Sequence, residues 1–204
     1  MTTSSREINA GTDRRTRKRE ARREQVYETA MRLFVERGYD NTTMEDIADE
    51  ADVARTTVFN YFERKSALVQ EWGDRRRAVA LAFVTRHLPD DASTADIVST
   101  YIATLARANT SAREETVALL TAATTALQTT SDPQLGHDLA NQFERGQRRG
   151  EIRPHIRPAL TGLLLAAGYF QTLARWVSQD PEPFDLHHEL AELVELVLRG
   201  ALAP

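Results

Sequence analysis

The sequence predicts an all-α protein of about nine helices, and three observations carry that expectation. Apolar residues recur at three- and four-residue spacing along most of the chain, the period of a helix with one buried face. β-branched runs with period-two alternation are missing, so strands have no support. Gly and Pro are few and stand where helices should begin or end.

The first helix is predicted from about Glu20 to Arg37, with Val26, Ala30, Leu33 and Phe34 on its inner face and Gly38 as its stop. Thr42 and Thr43 each have an acidic residue three positions on (Glu45, Asp46), so either can be the N-cap of a short second helix carrying Met44, Ile47, Ala48 and Ala51. Asp52 interrupts that helix. A third short one is predicted from about Arg55 to Phe62, and a fourth from about Lys65 to His87, ended by Pro89-Asp90-Asp91. Ser93 with Asp96, and Ser111 with Glu114, read as capping boxes opening helices that end near Asn109 and Gln128. Asp132-Pro133 opens a helix to about Arg149, Pro158 an apolar helix to about Gln179, and Asp185 the last, to about Arg199.

Composition narrows the class. Hydrophobic residues make up 41% of the 204 and charged residues 27%, enough for a packed core with an ordinary charged surface. There is no cysteine, which excludes disulfides and thiolate metal sites. No apolar run reaches the ~18–20 residues of a membrane span. The basic, polar start has no apolar stretch after it and does not read as a signal peptide, so a cytoplasmic location is expected. The net charge of −4 taken alone argues against a nucleic-acid partner. Its distribution does not: residues 14–23, RRTRKREARR, carry seven basic groups and one acidic. A local basic patch, rather than whole-chain charge, is the electrostatic footprint of DNA binding.

Residues 43–62 fit a helix-turn-helix. Two short helices that cross steeply need apolar inward positions, small where the backbones approach. Ile47, Ala51, Val53, Val58 and Tyr61 or Phe62 fall at such positions, with Ala48 where only a small side chain fits. The turn needs a residue that tolerates positive φ, and Asp52 does so better than most. The outward face of the second helix suits a major groove. Arg55 can donate two hydrogen bonds to guanine, Thr56 and Thr57 offer hydroxyls and methyls, and Asn60 can pair with adenine or a phosphate. Thr43, Tyr61 and Lys65 are candidate phosphate ligands, as are Arg17 and Lys18 in the basic arm. The same pattern also allows a helical hairpin whose polar face meets only water, in a protein-interaction module without DNA binding.

Residues 24–72 resemble the DNA-binding domain of the tetracycline-repressor (TetR) family. The resemblance rests on Ala30, Leu33-Phe34, Gly38-Tyr39, Thr42-Thr43, Ile47-Ala48, Ala51 to Ala54, Thr57 to Phe62, Lys65 and Leu68. Three positions depart from the family pattern: Asp52 where Gly is usual, Ala54 where a Ser cap is common, and Thr56 where Gly is common. The resemblance implies a basic, largely disordered arm over residues 1–19, a DNA-binding domain over 20–65 and a helical ligand-binding and dimerisation domain over 66–204. It implies a ligand-released repressor on a palindromic, inverted-repeat operator.

In the last helix, Leu186, Leu190, Leu193 and Val197 form a stripe that Val194 and Leu198 widen. A stripe wider than one core needs suggests a second partner, hence a homodimer. The preceding helix is equally apolar, and its Leu163 joins Leu190, Leu193, Val194 and Val197 as candidate interface residues, with Gly162, Ala166, Ala167 and Gly168 allowing close helix approach. The resemblance implies that these two helices from each chain form the interface. Candidate ligand contacts are Tyr101, Thr121, Thr124, Thr125, Gln128, Tyr169 and Trp176, polar and aromatic groups among apolar neighbours, around an unidentified small-molecule effector. No enzyme is expected. No two of the five histidines sit at i,i+4 on one helix with a carboxylate, and there is neither a glycine-rich phosphate loop nor a nucleophile elbow. No metal or cofactor is expected.

Overall fold

A computed structural model describes the backbone of residues 4–126 and 133–201 and the side chains of residues 14–120 and 134–201. Among the described residues stand nine α-helices: α1 (Ser4–Arg37), α2 (Met44–Glu50), α3 (Arg55–Tyr61), α4 (Lys65–His87), α5 (Thr94–Ser111), α6 (Arg113–Ala126), α7 (Pro133–Arg148), α8 (Pro158–Val177) and α9 (Leu186–Ala201). The chain divides into two compact units, Met1–Leu68 and Val69–Pro204. Helix α4 begins in the first and continues into the second.

Two sequence expectations need correction. Helix α1 begins at Ser4 rather than near Glu20, so the basic arm expected to be disordered is helical from that residue on. The reason is propensity without burial. Arg, Lys, Glu and Ala dominate residues 14–23, all strong helix formers, and extending a formed helix is far easier than starting one. Apolar periodicity reports burial, so an exposed helix leaves no such trace. Ser111 is the second case. It is the last residue of α5, and α6 starts at Arg113, so Ser111 does not cap α6. The Thr116 hydroxyl instead reaches back to the carbonyls of Asn109 and Ala112, at 3.2 and 2.9 Å.

In the first unit, Val26, Ala30, Leu33 and Phe34 of α1 close over Ile47, Ala48 and Ala51 of the second helical segment and Val58 and Phe62 of the third, all buried. Gly38 ends α1 at φ 84°. Thr43 is the N-cap of α2: its hydroxyl accepts from the Asp46 amide at 3.0 Å, and Asp46 accepts from the Thr43 amide at 2.7 Å. The turn to α3 is a Schellman closure. Asp52 sits at φ 50°, the Val53 amide donates to the Ala48 carbonyl at 3.0 Å, and the Asp52 amide to the Asp49 carbonyl at 3.2 Å. Asp52 thus occupies, at a steric cost, a backbone position that glycine takes freely.

The second unit is built around a core of Val98, Ile102 and Leu105 of α5, Leu135, Leu139 and Phe143 of α7, Leu165, Leu173 and Trp176 of α8, and Leu190 and Leu198 of α9. Helices α7 and α8 approach most closely at Gly162. A Cβ there would lie 2.5 Å from the Gly136 carbonyl oxygen and 2.7 Å from the Ala140 nitrogen, so the position admits only glycine without backbone movement. At Gly168 a Cβ would instead lie 2.8 Å from the Leu193 side chain of α9, whose end can move aside. The close approach expected from these small residues therefore takes place, at Gly162 and Gly168, between helices of one chain.

Candidate nucleic-acid interface

The first unit presents one face of α3 to solvent. Val58 is buried, and Arg55, Thr56, Phe59 and Asn60 are exposed, with Thr57 and Tyr61 half-buried. The helix is short and poorly capped at its start. Ala54 occupies the N-cap with extended backbone but has no side chain to accept an amide. Its orientation therefore rests on the Schellman turn and on the burial of Val58 and Phe62. Arg55, the first helical residue, forms an ion pair with Glu45 of α2, and its guanidinium carbon lies 5.6 Å from the centre of the Phe59 ring.

The other candidate DNA ligands divide. Arg17 and Lys18 are exposed on the N-terminal extension of α1, in line with Arg14, Arg15, Arg19 and Arg22. Thr43 is exposed, but its hydroxyl donates to Asp46 at 2.6 Å and belongs to the cap. The hydrogen bonds from Thr43 hold the Asp46 carboxyl below its ordinary range. Lys65 is half-buried. Its ammonium donates to the Tyr39 carbonyl at 2.6 Å and lies over the Tyr39 ring at 4.3 Å, tying the start of α4 to the α1–α2 connection. Thr43 and Lys65 are thus engaged within the unit. Sequence reasoning passed over Phe59 and Glu45. The available signal was Phe59 itself: a large apolar residue out of phase with Val58 and Phe62, and 38% exposed.

In the second unit the ligand candidates that are described have internal partners. Tyr101 is buried and donates to Asp138 at 3.0 Å, and Asp138 lies 3.4 Å from the buried Arg77 of α4. Burial, then the Asp138 charge, push the Tyr101 hydroxyl well above its usual range. The Tyr169 hydroxyl, pushed up to about 12 by burial, accepts from Asn109 at 2.6 Å. Asn109 accepts in turn from Arg76 of α4 at 2.8 Å, and Arg76 pairs with Glu115, which also accepts from the Trp72 indole. Trp176 is buried with the Arg113 guanidinium 5.2 Å from its ring centre. Thr121, Thr124 and Thr125 lie on the backbone of α6 with side chains outside the described residues, and Gln128 lies wholly outside them. A groove of about 430 Å³ opens between α5 and α9, lined by Ile102, Ala103, Leu190, Val194, Leu198 and Arg199 among others. None of the candidate ligand residues with described side chains borders it.

The proposed interface residues also divide. Leu190 and Val194 are buried in their own unit's core, and Leu193 and Val197 pack partly against it, so the wide stripe of α9 turns mainly inward. Periodicity shows that a face is apolar, not which chain covers it. Leu163 is exposed as expected. Leu160, Leu164 and Leu196 are exposed beside it on the same two helices, Leu196 at 72%. Arrays of exposed leucine mark contact surfaces.

Residues 26–72 match the family described as bacterial regulatory proteins, tetR family. The chain is 41% identical over 49 residues to the probable acrEF/envCD operon repressor of Escherichia coli (strain K12), an alignment covering 24% of this chain and 22% of that protein. It is 40% identical over 45 residues to the HTH-type transcriptional regulator YvkB of Bacillus subtilis (strain 168), 22% of this chain and 24% of that one. These alignments therefore span under a quarter of the curated relatives' length. The fold likeness extends further. Thermus thermophilus FadR, a TetR-family transcriptional repressor solved with lauroyl-CoA, superposes with a TM-score of 0.71 at 26% identity, over 89% of this chain and 96% of that one. The family match lies in the helix-turn-helix of the first unit, and the fold likeness to a TetR-family transcriptional repressor runs through the second as well.

Proposed function

We propose that this protein is a dimeric repressor that reads an inverted-repeat operator through α3 and is released from it by a small-molecule effector in the cytoplasm. The observation that carries the reading is the solvent-facing row Arg55, Thr56, Phe59 and Asn60 on a helix whose opposite face, Val58, is fully buried. A helix so mounted enters a major groove with its N-terminal residues toward base edges. The exposed basic residues of the α1 extension add phosphate contacts that raise affinity for any sequence and make it salt-dependent. Two copies joined through the exposed leucines of α8 and α9 place two such helices on two half-sites.

Effector action has a physical route through α4. Trp72, Arg76 and Arg77 of that helix are tied to Glu115, Asn109 and Asp138, and through them to Tyr169 and Tyr101. A ligand entering among these helices replaces some of those bonds and favours another position of α4. It shifts the equilibrium only by its preference for that released state. Because FadR was solved with lauroyl-CoA, that compound is the first probe for this chain.

The test is selection of the purified full-length protein on a random duplex library at fixed salt. Enrichment of one inverted repeat, with half-site centres about 34–36 Å apart or a multiple of that, is the expected result. A folded protein that enriches no sequence overturns the reading. The dimer is tested by Leu164→Glu, which places a charge on an exposed position: sedimentation is expected to show a folded monomer with weakened operator binding, and an unchanged dimer would exclude this face.

A further inference from the structure

Arg55 does not stand alone on the reading face. Glu45, in the first turn of α2, takes one edge of its guanidinium, and the Phe59 ring lies beside its plane. Both charged side chains are well exposed, Arg55 at 63% and Glu45 at 44%, so the pair contributes little to folding. Phe59 is a large apolar side chain that the fold leaves 38% exposed. Three side chains that stay partly exposed stand together on the surface that, on this reading, meets DNA.

Resting on the reading of α3 as the helix that enters the groove, we propose that Glu45, Arg55 and Phe59 form one recognition unit, with Glu45 a positioning residue that decides base specificity. A guanidinium has five N–H donors. With Glu45 holding one edge, the others remain for guanine O6 and N7, and the fork is oriented before DNA arrives. The Phe59 ring, one turn along the same helix face, meets a thymine methyl at a neighbouring step. The carboxylate also works against the main competitor. A free arginine near DNA finds phosphate, which gives affinity without sequence information. Glu45 both repels phosphate and keeps Arg55 from swinging to it. Each half-site is therefore expected to contain a guanine with a thymine close beside it.

The unit is tested by titrating the duplex enriched by the native full-length protein, and versions with each base pair replaced in turn, against native protein and the variants Glu45→Gln, Arg55→Ala, Phe59→Ala and Glu63→Gln. Glu63 is exposed beyond α3 and serves as a charge-matched control. Native protein is expected to prefer guanine at one half-site position by roughly tenfold or more, and Arg55→Ala to abolish that preference alone. Glu45→Gln is expected to keep or raise total affinity and to steepen the salt slope by about 0.9 as Arg55 turns to a phosphate. It should also cut the guanine preference by roughly fivefold or more. Phe59→Ala should lower the thymine preference roughly fivefold. Glu63→Gln should raise affinity for all duplexes alike. Native guanine preference in Glu45→Gln, or the same loss in Glu63→Gln, would overturn the proposal. If native protein binds every duplex equally, the assignment of α3 as reading helix fails first, an outcome distinct from a flat effect at Glu45.

Discussion

The two units place their charges differently. In the first, ion pairs lie on the surface: Arg32 with Glu36 and Glu50, Arg37 with Glu50, Arg55 with Glu45. Its shape comes from a buried apolar centre and from local backbone closures at Gly38, Thr43 and Asp52. The second has surface pairs too, such as Arg199 with Glu195, but it also turns charged and polar groups inward. Arg77 is buried, and the bonds from Arg76 to Asn109, Tyr101 to Asp138 and Asn109 to Tyr169 join residues 33, 37 and 60 apart in sequence. The difference teaches what each unit can do. A reading head keeps one face stiff and its charges accessible. A sensor keeps polar groups inside, where exchanging one hydrogen bond for another can move a helix.

If that contrast is right, Arg77→Ala should have the largest effect. It leaves Asp138, which still accepts from Tyr101, without its buried cationic partner, and a loss of about 3 kcal/mol is expected, since removing one member of a buried pair strands the other. Thermal unfolding checks this, and a change within about 0.5 kcal/mol, the range of ordinary surface substitutions, would erase the distinction between the units. Next comes Gly162→Ala, expected to cost roughly 1–3 kcal/mol because the methyl meets the α7 backbone. Gly200→Ala, which meets nothing, should show no such loss in the same melts.

The first unit should respond to local repair. Ala54→Ser supplies the missing cap of α3 and should stabilise it by about 0.5–2 kcal/mol. Asp52→Gly should add up to about 1 kcal/mol by removing the left-handed strain. Hydrogen exchange at the α3 amides measures both, and slower exchange is expected. The smallest effect is in pH. The Asp46 carboxyl is held low by Thr43 only when folded, so its contribution is present above the ordinary aspartate value of about 3.9 and is lost as the pH falls through the folded value. Asp46→Asn should flatten the acid side of the first unit's stability profile without changing it near neutrality by more than the cap interaction.

What was legible in the sequence follows the same division. The caps at Thr43 and Asp185 and the positive φ at Asp52 are fixed by residues within five positions of one another, and the inward set Ile47, Ala51 and Val58 by the period of two adjacent short helices. The helical run before Glu20 was not legible because its described residues, 14–19, are exposed and follow no apolar period. The partners of Tyr101 and Tyr169 are set by the packing of distant helices, which single-chain periodicity does not report. The inward turn of Leu190 and Val194 and the exposure of Leu196 come from the rotation of α9 about its axis, again a tertiary choice. On the reading face, Arg55 was legible by its place at the start of α3, while the Glu45 that holds it required two helices to be placed.

The most direct test of the account is the ratio of dissociation constants for the enriched inverted repeat and a scrambled duplex of the same length, measured with the full-length protein at one fixed salt concentration. The account predicts a preference of at least roughly 10³ for the repeat, the lower end for specific regulators. Equal affinity for the two duplexes, from a folded dimer, would contradict it.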